Sequence, residues 1–546
     1  MNVDAIREIC YSGRFIASNC FSIYGGIRMK TLVYWGIGGV GKGCIEYFPE
    51  KIPQFIIDSN CADKEYQGIL ICNPESITTW KELFIVITVA DSSQIKNFLN
   101  SKGLQENDDF QDYTSFFHIY EKPKDNIARL KKVISLNSEL VKRTLLIIPV
   151  FSARKSEVLT NFIRKYAKLE KCVLLMSWRI MTEVMATDKM GFPVFGLARM
   201  SGRDAGNEEN HEGMLEITDL SYEEQKWLED IFDRKNTKDN QESIWNLQQK
   251  YQYWKNIVTI FQPKHMVFWG NWESDSYIVG HLCGKYDIHC VYMEHGWLPG
   301  TYYLDPKGIS GQGECTKKSN PKMLVDKEKI SEIKNYIITN KLDSRIFKYT
   351  VWDEEKLKEI DATKKTVFLV GMDDFGMGIN PKTAYWNEYV SSVVSSTMEA
   401  YEYVKEICVR HNWNFIFKPH PGKNNIIDSH SDALIFRDIQ IDRLIEKANV
   451  VISIASAVNY KVLLYKKPLV QIGITCLSGK GCCYEVNCKE QIEDNIINAL
   501  AYGMTEEQIN NFDIHLSVML DNYLWDDLSE RDVRYGLGLE KNFPFR

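Results

Sequence analysis

Short apolar segments that lead through a turn into a helical pattern recur along most of this chain. Residues 31–35 lead into the glycine-rich turn 36–41, and comparable strands are predicted at 144–150 and 366–370. Alternation of strand and helix predicts parallel sheets covered by helices. The sequence therefore predicts an α/β protein, and its 546 residues exceed what one hydrophobic core usually serves.

The predicted strands group into three α/β units. We predict an N-terminal segment at 1–29, a small Rossmann-like domain at 30–122, a second domain at 136–345, a third at 346–505 and a helical tail at 506–546. Within the second domain, segment 296–313 is glycine-rich and is predicted to be a loop. Within the third, the apolar pattern predicts one long helix over roughly 385–411.

Charge and apolar patterning restrict the partners. Lys and Arg number 66 against 73 Asp and Glu, a net charge of −7, so nucleic acid is not an expected partner. Apolar runs reach seven residues, as at 145–151, whereas a membrane span needs about 20. The first thirty residues lack a secretory pattern, and the 14 Cys show no paired C-x-x-C spacing. We expect a cytoplasmic protein with reduced thiols and at most peripheral membrane contact.

A histidine between two prolines directly follows the predicted strand 413–417. In Lys418-Pro419-His420-Pro421, the prolines restrict the backbone on both sides of the imidazole. A histidine and a lysine at the carboxyl end of a strand can neutralise a phosphate or protonate a leaving oxygen. The alternative is a strand end with a solvated histidine.

Two serines follow the predicted strand 450–453 and precede a helix. Hydroxyl groups and free N–H groups at such a position suit a phosphate, so Ser453 and Ser456 are candidate ligands. Plain helix capping by the same residues is the alternative. Because the His420 and Ser453 motifs end strands of one predicted sheet, we expect them to line the same cleft.

A carboxylate ends the predicted strand 290–293. Glu294 precedes Gly296, where the chain can turn, and it is our candidate general base. A salt-bridged loop residue is the alternative, and the competing acids are Asp275, Asp305, Asp373 and Asp374. The nearby aromatic residues Trp297, Tyr302 and Tyr303 are candidates for stacking on sugar rings.

The turn after the first strand carries a second candidate site. Gly36, Gly38 and Gly41 match G-x-G-x-x-G between a strand and a helix, and Asp58 ends the next strand, where an acid would bind a ribose. NAD(P) is the cofactor that this pattern fits. No hydride-transfer site accompanies it, so an accessory domain without a cofactor is the alternative.

Several of these motifs, taken in order, resemble the nucleotide-sugar domain of capsule polysaccharide biosynthesis glycosyltransferases. They are Lys418-Pro-His-Pro421, Asp442-x-Leu-Ile-x-x-Ala448, Val451-Ile-Ser-Ile-Ala-Ser456 and Leu463-Leu-Tyr-Lys-Lys-Pro468. Segments 294–300 and 305–308 resemble the acidic acceptor-side motif of that family. Similar sets of an acid before glycine, a His-Pro and a serine pair occur in bacterial Kdo and sialic acid transferases.

The resemblance implies a GT-B fold, in which two Rossmann-like domains face each other. Domain 346–505 would bind the nucleotide-sugar, with Lys418, His420, Pro421, Ser453 and Ser456 at the donor. Glu294, in the acceptor-side domain 136–345, would be catalytic together with His420. Family members often carry Gly and Glu on the helix after the serines, where this chain has Asn459 and Lys461.

From the same resemblance we expect a metal-independent transfer with no cofactor, a donor that is CMP-linked, and an acceptor that is a polysaccharide or lipid-linked glycan. Contact with the inner membrane or the capsule machinery would be peripheral. Two other functions stay open. One is a CDP-polyol phosphotransferase of the teichoic-acid type, which uses a similar His-Pro and serine pair. The other is an NAD-binding or non-catalytic protein.

Overall fold

A computed structural model describes residues 20–21, 30–48, 51–60, 63–89, 91–117, 122–148, 172–177, 193–198, 213–217, 220–236, 242–270, 274–321, 325–340, 355–374, 379–420 and 433–526. The chain divides into two compact units. The first comprises residues 1–160, 167–216 and 255–263, and the second comprises 161–166, 217–254 and 264–546. The domain boundaries predicted from the sequence stay predictions.

The first unit begins with a mainly parallel sheet. Its strands are β1 (Cys20–Phe21), β2 (Lys30–Trp35), β3 (Phe55–Ile57), β4 (Glu65–Tyr66), β5 (Ile69–Cys72), β6 (Leu83–Ile87) and β7 (Phe110–Asp112), and its helices are α1 (Gly39–Tyr47), α2 (Ser93–Ser101) and α3 (Tyr113–Phe117). The order is β4-β5-β3-β2-β6-β7, with β1 antiparallel to β2. Strands β3 and β6 are buried along their whole length, as expected of parallel strands covered on both faces.

Helix α4 (Pro123–Leu136) and three further strands follow in the first unit. These strands are β8 (Leu145–Ile148), β9 (Val173–Ser177) and β10 (Val194–Leu197), and they pair in parallel in that order. The Asn126 amide on α4 donates a hydrogen bond of 2.8 Å to the Gly196 carbonyl on β10. This buried bond connects the helix to the strands that follow it.

The second unit contains two sheets. Its first part comprises α5 (Tyr222–Lys235), α6 (Ile244–Phe261), β11 (His265–Trp269), α7 (Ser274–Lys285), β12 (His289–His295), β13 (Thr301–Asp305), α8 (Glu314–Lys317) and α9 (Lys327–Thr339). The C-terminal part of α6 belongs to the first unit. Strands β11 and β12 are parallel, and β13 returns antiparallel to β12.

The other sheet of this unit is entirely parallel. It comprises β14 (Thr366–Val370), β15 (Asn414–Lys418), β16 (Leu434–Ile435), β17 (Val450–Ser453), β18 (Leu469–Gln471) and β19 (Tyr484–Glu485), in the order β16-β15-β14-β17-β18-β19. Its helices are α10 (Ala384–Tyr389), α11 (Thr397–Arg410), α12 (Ile441–Lys447), α13 (Val458–Leu464), α14 (Gln491–Tyr502) and α15 (Glu506–Val518). The prediction of an α/β protein built on parallel sheets is confirmed.

The prediction of one long helix over 385–411 is wrong, because two helices, α10 and α11, occupy this stretch. The Ser391 hydroxyl accepts the N–H groups of Val393 and Val394 and donates to the Ile472 carbonyl at 2.6 Å. The side chain of Ser396 then accepts Glu399 N–H and starts α11. Serine hydroxyls thus replace helical hydrogen bonds between the two helices.

The prediction of a loop over the glycine-rich segment 296–313 is also partly wrong, because this segment contains β13. Gly296 N–H donates to the Thr301 carbonyl at 2.7 Å, which closes a tight turn between β12 and β13. A Cβ at Gly296 would overlap Thr301, so this position requires glycine. Strand β20 (Leu524–Asp526), within the predicted helical tail, pairs with β13.

None of the helices in the described ranges combines the length and the apolar character that crossing a lipid bilayer requires.

Candidate active site

The His-Pro and serine motifs lie at the carboxyl ends of neighbouring strands in the parallel sheet of the second unit. Strand β14 pairs with β15 on one side and with β17 on the other, with Val370 opposite both Lys418 and Ser453. The carboxyl ends of these three strands therefore lie side by side, which is where open α/β sheets bind ligands. The structure brings the two motifs to adjacent positions around the end of β14.

His420 lies two residues beyond β15, near Asp373, which follows β14. The imidazole Nδ1 is 4.0 Å from a carboxylate oxygen of Asp373, and both side chains are partly exposed. This distance permits attraction to a protonated histidine but is too long for a hydrogen bond. Gly371 N–H donates to the Lys418 carbonyl at 2.9 Å and brings these two strand ends together.

Lys418, predicted to contact the donor, is buried, and its ammonium donates to the Arg437 carbonyl at 2.9 Å. Any phosphate would therefore share this cation with a backbone oxygen. Pro421, predicted at the same site, lies outside the described residues. Among the three described residues of this motif, Lys418 and Pro419 are buried and His420 is partly exposed, with 32% of its side chain accessible.

The two serines differ in what their hydroxyl groups contact. The Ser456 Oγ accepts Val458 N–H at 3.2 Å, the capping contact expected at the start of α13. Ser453 is fully buried, and its Oγ has no hydrogen-bond partner among the described residues. Buried hydroxyl groups are usually paired, so the unpaired Ser453 Oγ at the sheet edge is unusual.

The departures at Asn459 and Lys461 have a structural basis on α13. Lys461 forms a 2.6 Å ion pair with Asp442, a fully buried carboxylate that also accepts the Tyr465 hydroxyl at 2.6 Å. Loss of one partner would leave a buried charge uncompensated. The Asp442 segment therefore anchors α12 to α13 through Lys461, and Asn459 is buried beside it.

Glu294 lies near the end of β12, opposite Tyr303 on β13. It is partly buried, and its carboxylate accepts the neighbouring His295 N–H at 2.9 Å. A residue that is not fully buried can be reached by an acceptor hydroxyl. The position is thus compatible with the proton-accepting role predicted for this residue.

The competing acids are engaged in the surrounding structure. Asp305 is fully buried and accepts five hydrogen bonds, from the Tyr303 hydroxyl at 2.7 Å and from four backbone N–H groups between residues 307 and 315. Asp275 pairs with Lys250 at 2.9 Å and accepts the Trp254 indole N–H. Asp374 accepts Thr397 N–H at 2.9 Å. These three carboxylates organise loops and helix ends.

The aromatic residues after Glu294 differ in burial, because Trp297 is partly exposed whereas Tyr302 and Tyr303 lie inside the protein. Tyr302 and Tyr303 are fully buried, so the prediction that they stack on sugar rings is wrong. Trp297 stacks on Tyr460 of α13, with ring centroids 5.8 Å apart and planes within 8°. The hairpin that carries Glu294 therefore contacts the helix that follows Ser456. Sequence patterns gave no indication of this contact.

Tyr460 in turn contacts a buried histidine on α15. The Tyr460 hydroxyl is 2.7 Å from His515 Nε2, and both residues are buried. Burial lowers the pKa of His515 to about 3, and the nearby Lys480 ammonium adds to this effect. His515 is therefore neutral at any physiological pH.

This lowered pKa makes the stability of the second unit depend on pH. Because an unfolded histidine titrates near 6.5, the unfolded chain binds more protons than the folded one at pH values between 6.5 and 3. Stability is complete above pH 6.5 and falls as the pH decreases, by about 2 kcal/mol between pH 7 and 5. Urea unfolding of wild type and His515→Gln at both pH values checks this. An equal pH dependence in the two proteins would contradict it.

Two of the three glycines in the N-terminal motif are required by the backbone conformation and the close packing of the turn itself. Gly36 has a φ of +110°, and a Cβ at Gly41 would overlap the Gly36 carbonyl, whereas a Cβ at Gly38 would meet nothing within 4 Å. Asp58 accepts Ile37 N–H at 2.9 Å and Asn60 N–H at 2.8 Å, one with each carboxylate oxygen. A ribose at Asp58 would have to share these oxygens, so cofactor binding stays a prediction.

Two alanine substitutions separate the roles of these glycines in stability. Gly41→Ala is expected to destabilise the first unit by about 1–3 kcal/mol, because the added methyl overlaps backbone. The matched change Gly38→Ala, at φ −62° in open space, is expected to stay within about 1 kcal/mol of wild type. Thermal unfolding of both variants is the measurement. Equal destabilisation would show that the packing of Gly41 is not the reason for the glycine there.

No family model matches the chain, and no curated protein shows significant similarity to it. Solved structures with partial similarity include the KpsC β-Kdo 2,4-transferase of Thermosulfurimonas dismutans, at 12% identity and a TM-score of 0.35, covering 47% of this chain and 80% of that one. The UDP-GlcNAc 2-epimerase of Methanocaldococcus jannaschii matches at 10% identity and a TM-score of 0.33, covering 69% and 98%. Similarity at this level does not assign the chain to either group.

Proposed function

We propose that this chain is a glycosyltransferase that moves a sugar from a nucleotide carrier to a glycan acceptor. The observation that carries the proposal is the Trp297–Tyr460 contact. It connects the hairpin bearing Glu294 with the helix that follows Ser453 and Ser456. A candidate base and a candidate phosphate site, which come from different sheets and distant parts of the sequence, are thereby connected within one compact unit.

In the proposed reaction, Glu294 accepts the proton of the acceptor hydroxyl as that oxygen bonds to the anomeric carbon. The bond between this carbon and the donor phosphate oxygen breaks, and the nucleotide leaves with the electron pair. His420 is proposed to contact the leaving phosphate, because its imidazole is partly exposed and can carry a positive charge. Ser456, which is partly exposed, is proposed as a further donor to that phosphate, whereas the unpaired Ser453 hydroxyl is fully buried and would have to become accessible to contact it.

The finer features of the proposal come from the family resemblance. The donor is proposed to be a CMP-linked sugar, the acceptor a surface polysaccharide or a lipid-linked glycan, and the fold of the GT-B type. Transfer is proposed to need no metal and no cofactor. The reaction is proposed to take place in the cytoplasm, with peripheral contact to the membrane.

The test is a panel of CMP-, CDP-, UDP- and GDP-linked donors incubated with the full chain and short glycan acceptors. Nucleotide release that depends on the acceptor, with a sugar added to the product by mass, supports the proposal. Transfer of a phosphopolyol from CDP-glycerol or CDP-ribitol would replace it by the phosphotransferase alternative. Binding of NAD(P) without release from any donor would favour the non-transferase alternative. A Glu294→Gln preparation, purified in parallel, controls for contaminating enzymes.

A further inference from the structure

Three aromatic residues, of which Trp297 is partly exposed and Tyr460 and His515 are buried, form a continuous set of contacts next to the serine motif, and no step of the proposed reaction uses them. Trp297 lies at the tip of the β12–β13 hairpin, Tyr460 lies on α13, and His515 lies on α15. We call this set the Trp297–Tyr460–His515 contact chain. Its members come from three separate parts of the sequence, and it reaches from the C-terminal helix to the hairpin.

The hairpin itself is short and rigid. Gly296 N–H donates to the Thr301 carbonyl, and the Thr301 hydroxyl donates to the Leu298 carbonyl at 2.7 Å. Trp297 therefore has little freedom relative to the end of β12. Glu294 lies three residues before Trp297 on the same hairpin, so the stack on Tyr460 restrains the segment that carries that carboxylate.

Tyr460 is oriented from its other side. Its hydroxyl is fixed by His515, which is neutral because burial lowers its pKa to about 3. A neutral imidazole can exchange a hydrogen bond with the phenol without placing a charge in the interior. The ring of Tyr460, held in this orientation, lies nearly parallel to the indole of Trp297. Such stacked pairs contribute specific geometry in addition to burial.

We infer that Trp297, Tyr460 and His515 are positioning residues that align Glu294 with the donor phosphate site at Ser453. None of the three is assigned contact with substrate. This inference rests on the proposed function, since alignment matters only where Glu294 acts on an acceptor. Displacement of a reacting group by about 1 Å can lower the rate about 10²-fold without loss of substrate binding.

The test uses two substitutions at Trp297. Trp297→Leu fills much of the volume but removes the stack, and we expect kcat to fall by about 10–100-fold while the dissociation constant of the donor stays within about threefold. Trp297→Phe retains a ring that can stack on Tyr460, and we expect it to recover kcat to within about threefold of wild type. Circular dichroism and thermal unfolding confirm that each variant is folded before its rate is measured.

A double-mutant cycle tests whether the three residues act together. Because Trp297 and His515 both act through Tyr460, the effects of Trp297→Leu and His515→Leu on kcat are expected to combine to much less than their product. Tyr401→Phe is the matched control, since Tyr401 is also buried but its hydroxyl has no partner among the described residues. This control is expected to leave kcat unchanged.

Three results would overturn the inference. They are wild-type kcat in a folded Trp297→Leu variant, a loss confined to donor affinity, and fully multiplicative effects in the cycle. Absence of turnover in the wild type with every donor would instead reject the proposed function and the inference with it. Wild-type turnover that Trp297→Leu leaves unchanged rejects only the positioning role.

Discussion

Glu294→Gln is expected to bind the donor nucleotide with near-normal affinity and to lose nearly all transfer. The amide keeps the shape of the side chain and can still accept the His295 N–H, but it cannot take a proton from an acceptor hydroxyl. A loss of about 10²–10⁴-fold is typical when a general base is removed. Calorimetric titration of the donor, together with product formation on the same preparation, measures both parts.

Asp305→Asn is the informative comparison for this variant. The Asp305 carboxylate accepts hydrogen bonds from four backbone N–H groups. The amide that replaces it has an NH₂ group, which cannot accept these bonds, so the substitution is expected to lower the unfolding temperature. If Asp305→Asn loses both transfer and stability, Asp305 has a structural role. Glu294→Gln should lose transfer alone, and retained transfer in that variant would contradict its role as the base.

His420→Ala is expected to lower turnover by about 10²–10⁴-fold while the fold survives. Its side chain is 32% exposed and lies 4.0 Å from the partly exposed carboxylate of Asp373, so its removal is expected to leave the fold intact. The loss follows from removing a group that contacts the charge developing on the leaving phosphate. Steady-state rates and thermal unfolding are the measurements.

His411→Ala is the matched control for His420→Ala. His411 follows α11 and pairs at the surface with Glu493 at 2.6 Å, and it precedes β15 whereas His420 follows it, so the two histidines lie beyond opposite ends of that strand. Exposed ion pairs contribute about 0–1 kcal/mol, so turnover and stability should stay close to wild type. Wild-type rates in a folded His420→Ala variant would reject its role in transfer.

The strands and their carboxyl-end motifs were accessible to sequence analysis because continuous apolar runs mark buried parallel strands. The strand 450–453 matches β17, and the strands near 55–57 and 69–72 match β3 and β5. In the parallel sheet of the second unit, β15 and β17 pair with β14 from opposite sides, so His420 and Ser453 lie on either side of β14. This much depends on local pattern and on the general behaviour of parallel sheets.

Interactions between distant residues could not be predicted in the same way. The break between α10 and α11 depends on Ser391 donating to Ile472, 81 residues away, and a local pattern contains no trace of that bond. Tyr302 and Tyr303 lie on β13, which pairs with β20 of the C-terminal tail, and Tyr303 stacks on Tyr523, 220 positions away. The Trp297–Tyr460 contact joins residues 163 positions apart.

The roles of individual polar residues could not be predicted from the sequence either, because these roles depend on contacts with distant residues. From sequence, Glu294 is the candidate base, and Asp275 and Asp305 are among the acids that compete with it. Burial and hydrogen bonding separate them, because Asp305 is saturated with donors and Asp275 neutralises Lys250. Lys461 likewise departs from the family pattern for a structural reason, since it balances the buried charge of Asp442.

Glu294 is proposed to act as the base when a sugar moves from the nucleotide donor to the acceptor. Acceptor-dependent nucleotide release is measured for wild type and Glu294→Gln, each incubated with the same CMP-, CDP-, UDP- and GDP-linked donors. Wild type is expected to release nucleotide and form a glycosylated product with at least one donor, whereas Glu294→Gln is expected to lose both while it still binds the donor. Equal release by the two proteins, or none by wild type with any donor, would contradict this proposal.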